Sequence, residues 1–376
     1  MSNTSDTFSA AAAHNNDSST SSRLIDTLGL SLDDVVVIFA CNDLYVPFLS
    51  VVLQSIGEHI NPNRHYDVVV LANQITPQNM EILRNQVAEF GIGIGFLDVS
   101  KAFESYKLPI HGHFKRETYF RLLAPEMLAP LKKSLYLDCD LVVLRDIAEL
   151  FDTPVKGKLL AAARDADTVG QAYGYYEHAK EYLASNVDID NPLDYFQAGV
   201  LVLNLEEFRS SFSTAELFEL AASRHWQWLD QDVLNYLAHD RYTQINMSWN
   251  TLMDWEHIRR ERIIAQAPQF VQDEYEAARK NPSIVHYAGP DDRPWLYPKA
   301  DMAEYFWDYA SRSPYYQEIK HRLHASRTTP KGILKRAQVF ILYRIGMDLF
   351  DVLFKPKTKR RRFMISAFRV VGGHLI

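Results

Sequence analysis

Cysteine is scarce in this chain: Cys41 and Cys139 are its two thiols among 376 residues. Two thiols exclude a disulfide framework and a cysteine-built zinc site, and they suit a reducing compartment. Nowhere does a run of about eighteen apolar residues occur, so no segment is expected to span a bilayer as a helix. Internal repeats are absent too, which excludes solenoid and propeller arrays. The one compositionally biased stretch is Met1 to Ser22, rich in Ser, Thr, Asn and Ala. It has neither a basic start nor a sustained apolar core, so residues 1–31 are expected to be a disordered tail rather than a signal peptide. The expected compartment is the cytoplasm.

What is present is the composition of a globular protein, 47% hydrophobic and 23% charged, in a chain long enough to bury a large core. The net charge of −7 is unevenly spread. From Lys331 to the end there are eleven Lys and Arg against two acids, so these 46 residues carry +9 and the preceding 330 carry −16. An acidic body with a basic appendage suits an anionic surface, and an acidic body without a recognisable binding fold argues against nucleic acid. Within residues 311–376, apolar groups such as Phe340, Phe350 and Phe354 interleave with Lys355, Lys357 and Lys359 to Arg362. That pattern predicts a helical, amphipathic region lying on the inner face of a membrane.

The first hundred residues alternate. Val35 to Ala40 is a continuous apolar run, as in a parallel strand buried on both faces. An amphipathic stretch over Val46 to His59 predicts a helix, and Tyr66 to Leu71 a second strand. Thr76-Pro77 opens another helix running to about Phe90, and Ile92 to Leu97 is a third strand. This β-α-β-α-β order predicts an α/β fold with a mostly parallel central sheet and a nucleotide site at its strand ends. Further strands are expected at Ser134 to Leu137, Leu159 to Ala163, Phe196 to Leu205 and Ser283 to His286. Leu141 to Leu144 is expected to be extended. Helices are expected at Thr118 to Leu123 and Asp230 to Leu237, and an irregular aromatic segment at Asn246 to Trp255.

The chemistry concentrates at a few of these ends. Asp138-Cys139-Asp140 follows an apolar strand, where residues two apart face the same way with α-carbons roughly 6.5 Å apart. Two such carboxylates suit one hard cation bridging to phosphate, although an isolated pair is equally a strand-end turn with solvated acids. His286, directly after a strand, offers a neutral imidazole as a third ligand or is simply a packed histidine. Gly289 permits close backbone approach to a ligand, and Arg293 suits a diphosphate. Asp230-Gln231-Asp232 opens a helix, where Asp230 is either a cap or a partner for sugar hydroxyls. Tyr45 follows the first strand and either stacks on a base or packs in the core.

Six blocks occur in order: Ile38-Phe-Ala-Cys-Asn-Asp-Leu-Tyr45, Thr118-Tyr-Phe-Arg-Leu122, Leu135-Tyr-Leu-Asp-Cys-Asp-Leu-Val142, Gln197-Ala-Gly-Val-Leu-Val-Leu-Asn-Leu205, Asp230-Gln-Asp-Val-Leu-Asn235, and His286-Tyr-Ala-Gly-Pro290 continuing to Arg293-Pro-Trp295. Together they resemble glycosyltransferase family 8, especially its bacterial lipopolysaccharide galactosyl- and glucosyltransferases. The resemblance implies a GT-A catalytic domain over residues 32–310. It further implies a UDP-hexose donor, a glycan or glycolipid acceptor, Mn²⁺ (with Mg²⁺ the alternative) and retention of anomeric configuration. Asp138, Asp140 and His286 match the family's metal ligands. Ala40 and Asn42 fall in the base-binding block, and Tyr45 matches the residue stacked on uracil. His113 and Gly289 match diphosphate contacts. Arg121, Asp230 and Gln231 match residues around the donor sugar, with Gln231 on the far face of the anomeric carbon. Asp165 falls near a residue that meets sugar or acceptor, and Gln197 and Ala198 fall in the sugar pocket.

The chain also departs from the family. Asn42 stands where relatives often have Asp, Leu44 where some have Asn, and Gln197 in place of the usual Asn. An extra residue at Asp291 or Asp292 shifts the last block, in which Arg293 replaces a Lys. Two other classes compete with this reading. In a haloacid-dehalogenase-like phosphatase Asp138 would be the nucleophile, but that superfamily opens its domain with the motif, whereas three β/α elements precede it here. The altered Asn42, Leu44 and Gln197 would suit a non-catalytic, membrane-surface sugar-nucleotide-binding protein. Self-glucosylation, as in glycogenin-like relatives, is a variant within the enzyme class, and none of the 20 tyrosines declares itself as its acceptor.

Overall fold

The computed structural model describes residues 34–339, apart from 103–105, 107, 111–115, 130, 256 and 290–292, and isolated positions beyond 339. The expected N-terminal tail, His113, Asp291, Asp292 and most of the basic C-terminal segment lie outside the described residues.

The main sheet has seven strands: β1 (Val35–Asn42), β2 (Tyr66–Asn73), β3 (Gly93–Asp98), β4 (Lys133–Leu137), β6 (Leu160–Arg164), β7 (Phe196–Asn204) and β8 (Tyr242–Ile245), ordered β3-β2-β1-β4-β7-β6-β8. A smaller sheet orders β5 (Leu141–Val143), β10 (Ile284–His286) and β9 (Thr251–Leu252). The main sheet is parallel except at β7, which runs antiparallel to both β4 and β6. The mixed α/β architecture with a mostly parallel sheet is as expected, and the reversed β7 is the addition.

The continuous apolar runs are explained by burial on both faces. Along β1, Val35, Val37, Phe39 and Cys41 join one hydrophobic layer while Val36 and Ile38 join the other. Fully burying each such side chain contributes ~1.5–3 kcal/mol, so alternation with polar residues would be costly here. Helix α1 (Val46–Gly57) covers the first layer, with Pro47 in its first turn, and α2 (Pro77–Ala88) begins at Thr76, whose hydroxyl accepts the Asn79 N–H at 3.4 Å. The same layer takes in Phe306, Tyr309 and Ala310 from α4 (Ala303–Ala310), and Tyr315 and Ile319 at the start of α5 (Tyr316–Thr328); α3 (Asp230–Ala238) serves the other layer. Helix α6 (Pro330–Val339) ends the described segment. Among the described residues no helix is long and apolar enough to cross a membrane.

The topology brings distant residues to one edge. Because β1 and β4 are parallel neighbours, the turn after Asn42 and the residues after Leu137 leave the sheet on the same side. Because β7 is antiparallel to β4, its start reaches that edge too: Leu137 pairs with Val200, and the Asp138 N–H donates to Gly199 O at 2.9 Å. The register between β6 and β7 slips between the Ala162–Leu201 and Arg164–Phe196 pairs, so the irregularity in the sheet falls beside Gly199. Just past Asp140 the chain enters β5 of the small sheet, where His286 pairs with Leu141 and the Tyr287 N–H donates to Asp140 O at 2.8 Å. That pairing sets His286 beside Asp140 across 146 residues of chain.

Candidate active site

Asp138, Asp140 and His286 converge at this edge, with one potential ligand atom from each lying within 4.8 Å of the others. The strand ends at Leu137, where the sequence pattern sets its end, and the chain bends at Cys139 and Asp140. Cys139 turns inward, its thiol donating to Ala40 O at 3.3 Å. Each carboxylate is anchored through one oxygen and aims the other at the imidazole. Asp138 Oδ1 receives Arg121 at 2.9 Å and the Tyr136 hydroxyl at 3.2 Å, while Oδ2 lies 3.7 Å from His286 Nε2. Asp140 Oδ2 pairs with Arg293 at 3.3 Å, while Oδ1 lies 3.2 Å from Nε2. Burial opposes the charge on Asp140, but the Arg293 guanidinium chiefly outweighs it and holds the carboxyl well below the usual range.

This donor set, two carboxylate oxygens and one imidazole nitrogen, suits a divalent cation of the Mg²⁺ or Mn²⁺ type. The space also fits. A Cβ added at Gly199 would lie 2.3 Å from His286 Cε1 and 2.7 Å from Asp138 Oδ2, so the backbone of β7 closes directly on the ligand groups.

Next to this cluster Arg121 is buried beneath a second acid. Its Nε pairs with Asp230 at 2.8 Å, its guanidinium stacks on Tyr136 at 4.2 Å, and Nη1 donates to Ala198 O. Asp230 also accepts the Thr118 hydroxyl. Asp230 begins α3 after Leu229, a buried non-glycine residue at φ +47°, ψ −118°. Such strained backbone, set by the surrounding core, fixes how Asp230 and Gln231 are presented.

Gln231 sits between β7 and Asp165. Its Oε1 accepts the Ala198 N–H at 3.0 Å, and its Nε2 donates to Asp165 Oδ2 at 3.1 Å and to the Tyr195 hydroxyl at 3.2 Å. Asp165 caps the next turn by accepting the Thr168 N–H at 3.0 Å. Burial pushes the carboxyls of both Asp165 and Asp230 up to about 6; Asp167 adds to the rise at Asp165, and Arg121 counters it at Asp230.

The remaining candidates spread around this centre. The Tyr45 hydroxyl accepts Arg293 Nη1 at 2.6 Å, which links the turn after β1 to Asp140. Asn42 points elsewhere: its amide donates to Glu117 at 2.7 Å, as Asn73 does at 2.9 Å, and its oxygen accepts the Leu44 and Tyr45 N–H groups. A Cβ at Gly289 would meet nothing closer than Met253 at 3.7 Å, so packing alone does not require glycine there. Gln197 Oε1 accepts both the Gly199 N–H and the Asn250 amide, each at 2.6 Å. Sequence reasoning missed Asn250, Glu117 and Tyr195, which lie in no block with a chemical signature.

This sheet edge, with its paired carboxylates and histidine, belongs to the GT-A glycosyltransferases. The chain is a member of glycosyl transferase family 8, whose model matches residues 36–299. It is 24% identical over 270 residues to general stress protein A of Bacillus subtilis (strain 168), covering 70% of this chain and 88% of that protein. It resembles the galactosyltransferase LgtC, solved with donor and acceptor sugar analogs, at 26% identity and a TM-score of 0.60, covering 74% of this chain and 96% of that one. It resembles the bifunctional glycosyltransferase WbbM at 29% identity and a TM-score of 0.69, covering 77% of this chain but 52% of that one. The match takes in the β/α units that precede Asp138, which removes the ground for a phosphatase.

Proposed function

We propose that this protein is a retaining hexosyltransferase that moves glucose or galactose from a UDP-sugar to a glycan or glycolipid acceptor of lipopolysaccharide or cell-surface polysaccharide. The observation that carries the proposal is the adjacency of two sites. The Asp138–Asp140–His286 cluster and the Asp230–Gln231 pair are joined through one buried side chain, Arg121, which binds Asp138 and Asp230 together. A diphosphate at the first places its sugar at the second.

Asp138, Asp140 and His286 would hold Mn²⁺, or Mg²⁺ in its place. When bound, the cation neutralises the diphosphate and, as a Lewis acid, assists its departure. Arg293 supplies further positive charge at the phosphates, His113 contacts them, and Gly289 leaves room for them. Tyr45 offers its ring to the base, with Ala40 and Asn42 beside it. Asp230, Asp165, Gln197 and Ala198 line the sugar.

Retention is supported by the state of the groups around the anomeric position. Inversion requires a free general base to activate the acceptor. Gln231 is an amide and a poor base, and both neighbouring carboxylates are already engaged, Asp230 by Arg121 and Thr118 and Asp165 by Thr168 and Gln231. The basic segment beyond Lys331 would dock the enzyme peripherally on the cytoplasmic face of an anionic membrane, where lipid-linked acceptors are reached.

The test is a panel of UDP-glucose, UDP-galactose and UDP-N-acetylglucosamine against sugar acceptors, read by mass spectrometry, followed by proton NMR of the product. An α-linked hexose from an α-configured donor is the expected result. A β-linked product would refute retention.

A further inference from the structure

One amide orientation beside the metal-binding candidates is decided by a backbone group that cannot flip. The Gly199 N–H donates at 2.6 Å to the side chain of Gln197, so that side chain presents its oxygen, not its nitrogen. The same oxygen lies 2.6 Å from the side-chain amide of Asn250, which must therefore present its NH₂ group. Asn250 then turns its own oxygen to His286 Nδ1, at 2.9 Å. An oxygen acceptor requires Nδ1 to carry the hydrogen, and a neutral imidazole with Nδ1–H has its lone pair on Nε2. Nε2 is the nitrogen that faces Asp140 Oδ1 and Asp138 Oδ2.

We propose that Asn250 and Gln197 are positioning residues that lock His286 in the Nδ1–H tautomer and so make Nε2 a metal ligand. The inference rests on the metal reading of the Asp138–Asp140–His286 cluster. Two features make the relay rigid. His286, Asn250 and Gly199 are fixed by strands: β9 starts immediately after Asn250 and pairs in parallel with β10, with Thr251 opposite Val285 and Leu252 opposite His286. Asn250 and His286 are also both buried, 4% and 1% exposed, so no solvent competes for their hydrogen bonds. Metal-bound histidines commonly donate their second N–H to such a partner, and losing it weakens metal affinity by about 10–100-fold. Gln197 thereby gains a role beyond the sugar pocket. A shorter Asn at that position would have to reach Asn250 across one fewer methylene.

The test uses the full chain and two readouts that do not depend on turnover. Mn²⁺ binding is followed by the paramagnetic resonance signal of the free ion. The tautomer of His286 in metal-free protein is read by long-range ¹H–¹⁵N correlation on ¹⁵N-histidine protein. Asn250→Ala should bind Mn²⁺ about 10–100-fold more weakly and lose the pure Nδ1–H signature. Asn250→Asp keeps an acceptor for Nδ1–H but loses the donor to Gln197 Oε1, so it should recover part of the affinity. Gln197→Glu likewise keeps the acceptor and should bind close to wild type, while Gln197→Ala should fall between wild type and Asn250→Ala. Thermal unfolding identifies any variant that fails to fold, in which case the Asn250→Asp and Gln197 pairs carry the comparison. Wild-type affinity and tautomer in folded Asn250→Ala, or equal weakness in Asn250→Asp and Asn250→Ala, would overturn the positioning role alone. A wild type that binds neither Mn²⁺ nor Mg²⁺ would instead overturn the metal reading beneath it.

Discussion

The α-carbon of Gly199 backs directly onto the imidazole of His286, so closely that a Cβ there would stand 2.3 Å from Cε1. No rotation of the ring relieves this, because Nδ1 is held by Asn250 on one side and Nε2 faces the carboxylates on the other. Gly199→Ala is therefore expected to displace His286 and weaken Mn²⁺ binding at least tenfold, in line with the sensitivity of metal ligands to their supports. The overpacking itself should cost about 1–3 kcal/mol of stability. Gly289→Ala is the control: its nearest neighbour would be 3.7 Å away, and its stability should be unchanged. Denaturant unfolding and metal titration of the two variants check this directly.

The buried carboxyl of Asp165 makes stability depend on pH with a definite sign. Its pKa is raised by burial from 3.8 to about 6. Between those values the folded protein retains a proton that the unfolded chain has released, so stability falls as pH rises through the window and the loss is complete above it. A shift of about two pH units corresponds to a contribution on the order of 3 kcal/mol. Asp165→Asn does not ionise and should lack this slope. Relative to the variant, wild type should be less stable at pH 7 than at pH 4.5 by about 2 kcal/mol. Parallel stability curves for the two proteins would contradict the buried, proton-retaining state of Asp165.

The basic segment should place the protein on anionic membranes. In flotation with anionic and neutral liposomes, the full chain should float with the anionic ones at low salt and be released as salt rises. A version ending near Pro330 should stay in solution. Equal flotation of the two, or none by the full chain, would remove the surface-docking reading.

The first strands were legible because each lies between two hydrophobic layers, so every residue of Val35 to Phe39 is apolar whichever way it points. β8 was not legible. Tyr242 to Ile245 is short and half-exposed at the sheet's edge, and only its pairing with β6 makes it a strand. The reversed direction of β7 also leaves no mark, since an apolar run buried on both faces reads the same either way. At the site, Asp138, Asp140 and His286 announced themselves as acids and a histidine at strand ends. Asn250 did not, because its importance comes from β9 lying beside β10, a contact between segments more than thirty residues apart.

The most direct measurement of the central claim is hexose transfer or slow hydrolysis of UDP-hexose by the full chain, with Mn²⁺, then with chelator, then in Asp140→Asn. Asp140 gives one oxygen to the cluster and holds Arg293 with the other, so the substitution removes the ligand charge while keeping the side chain's shape. The account predicts turnover with Mn²⁺, its loss on chelation, its recovery when Mn²⁺ is returned, and a drop of at least about a hundredfold in Asp140→Asn, the order expected when a group that stabilises transition-state charge is lost. Undiminished activity after chelation, or in Asp140→Asn, would contradict it.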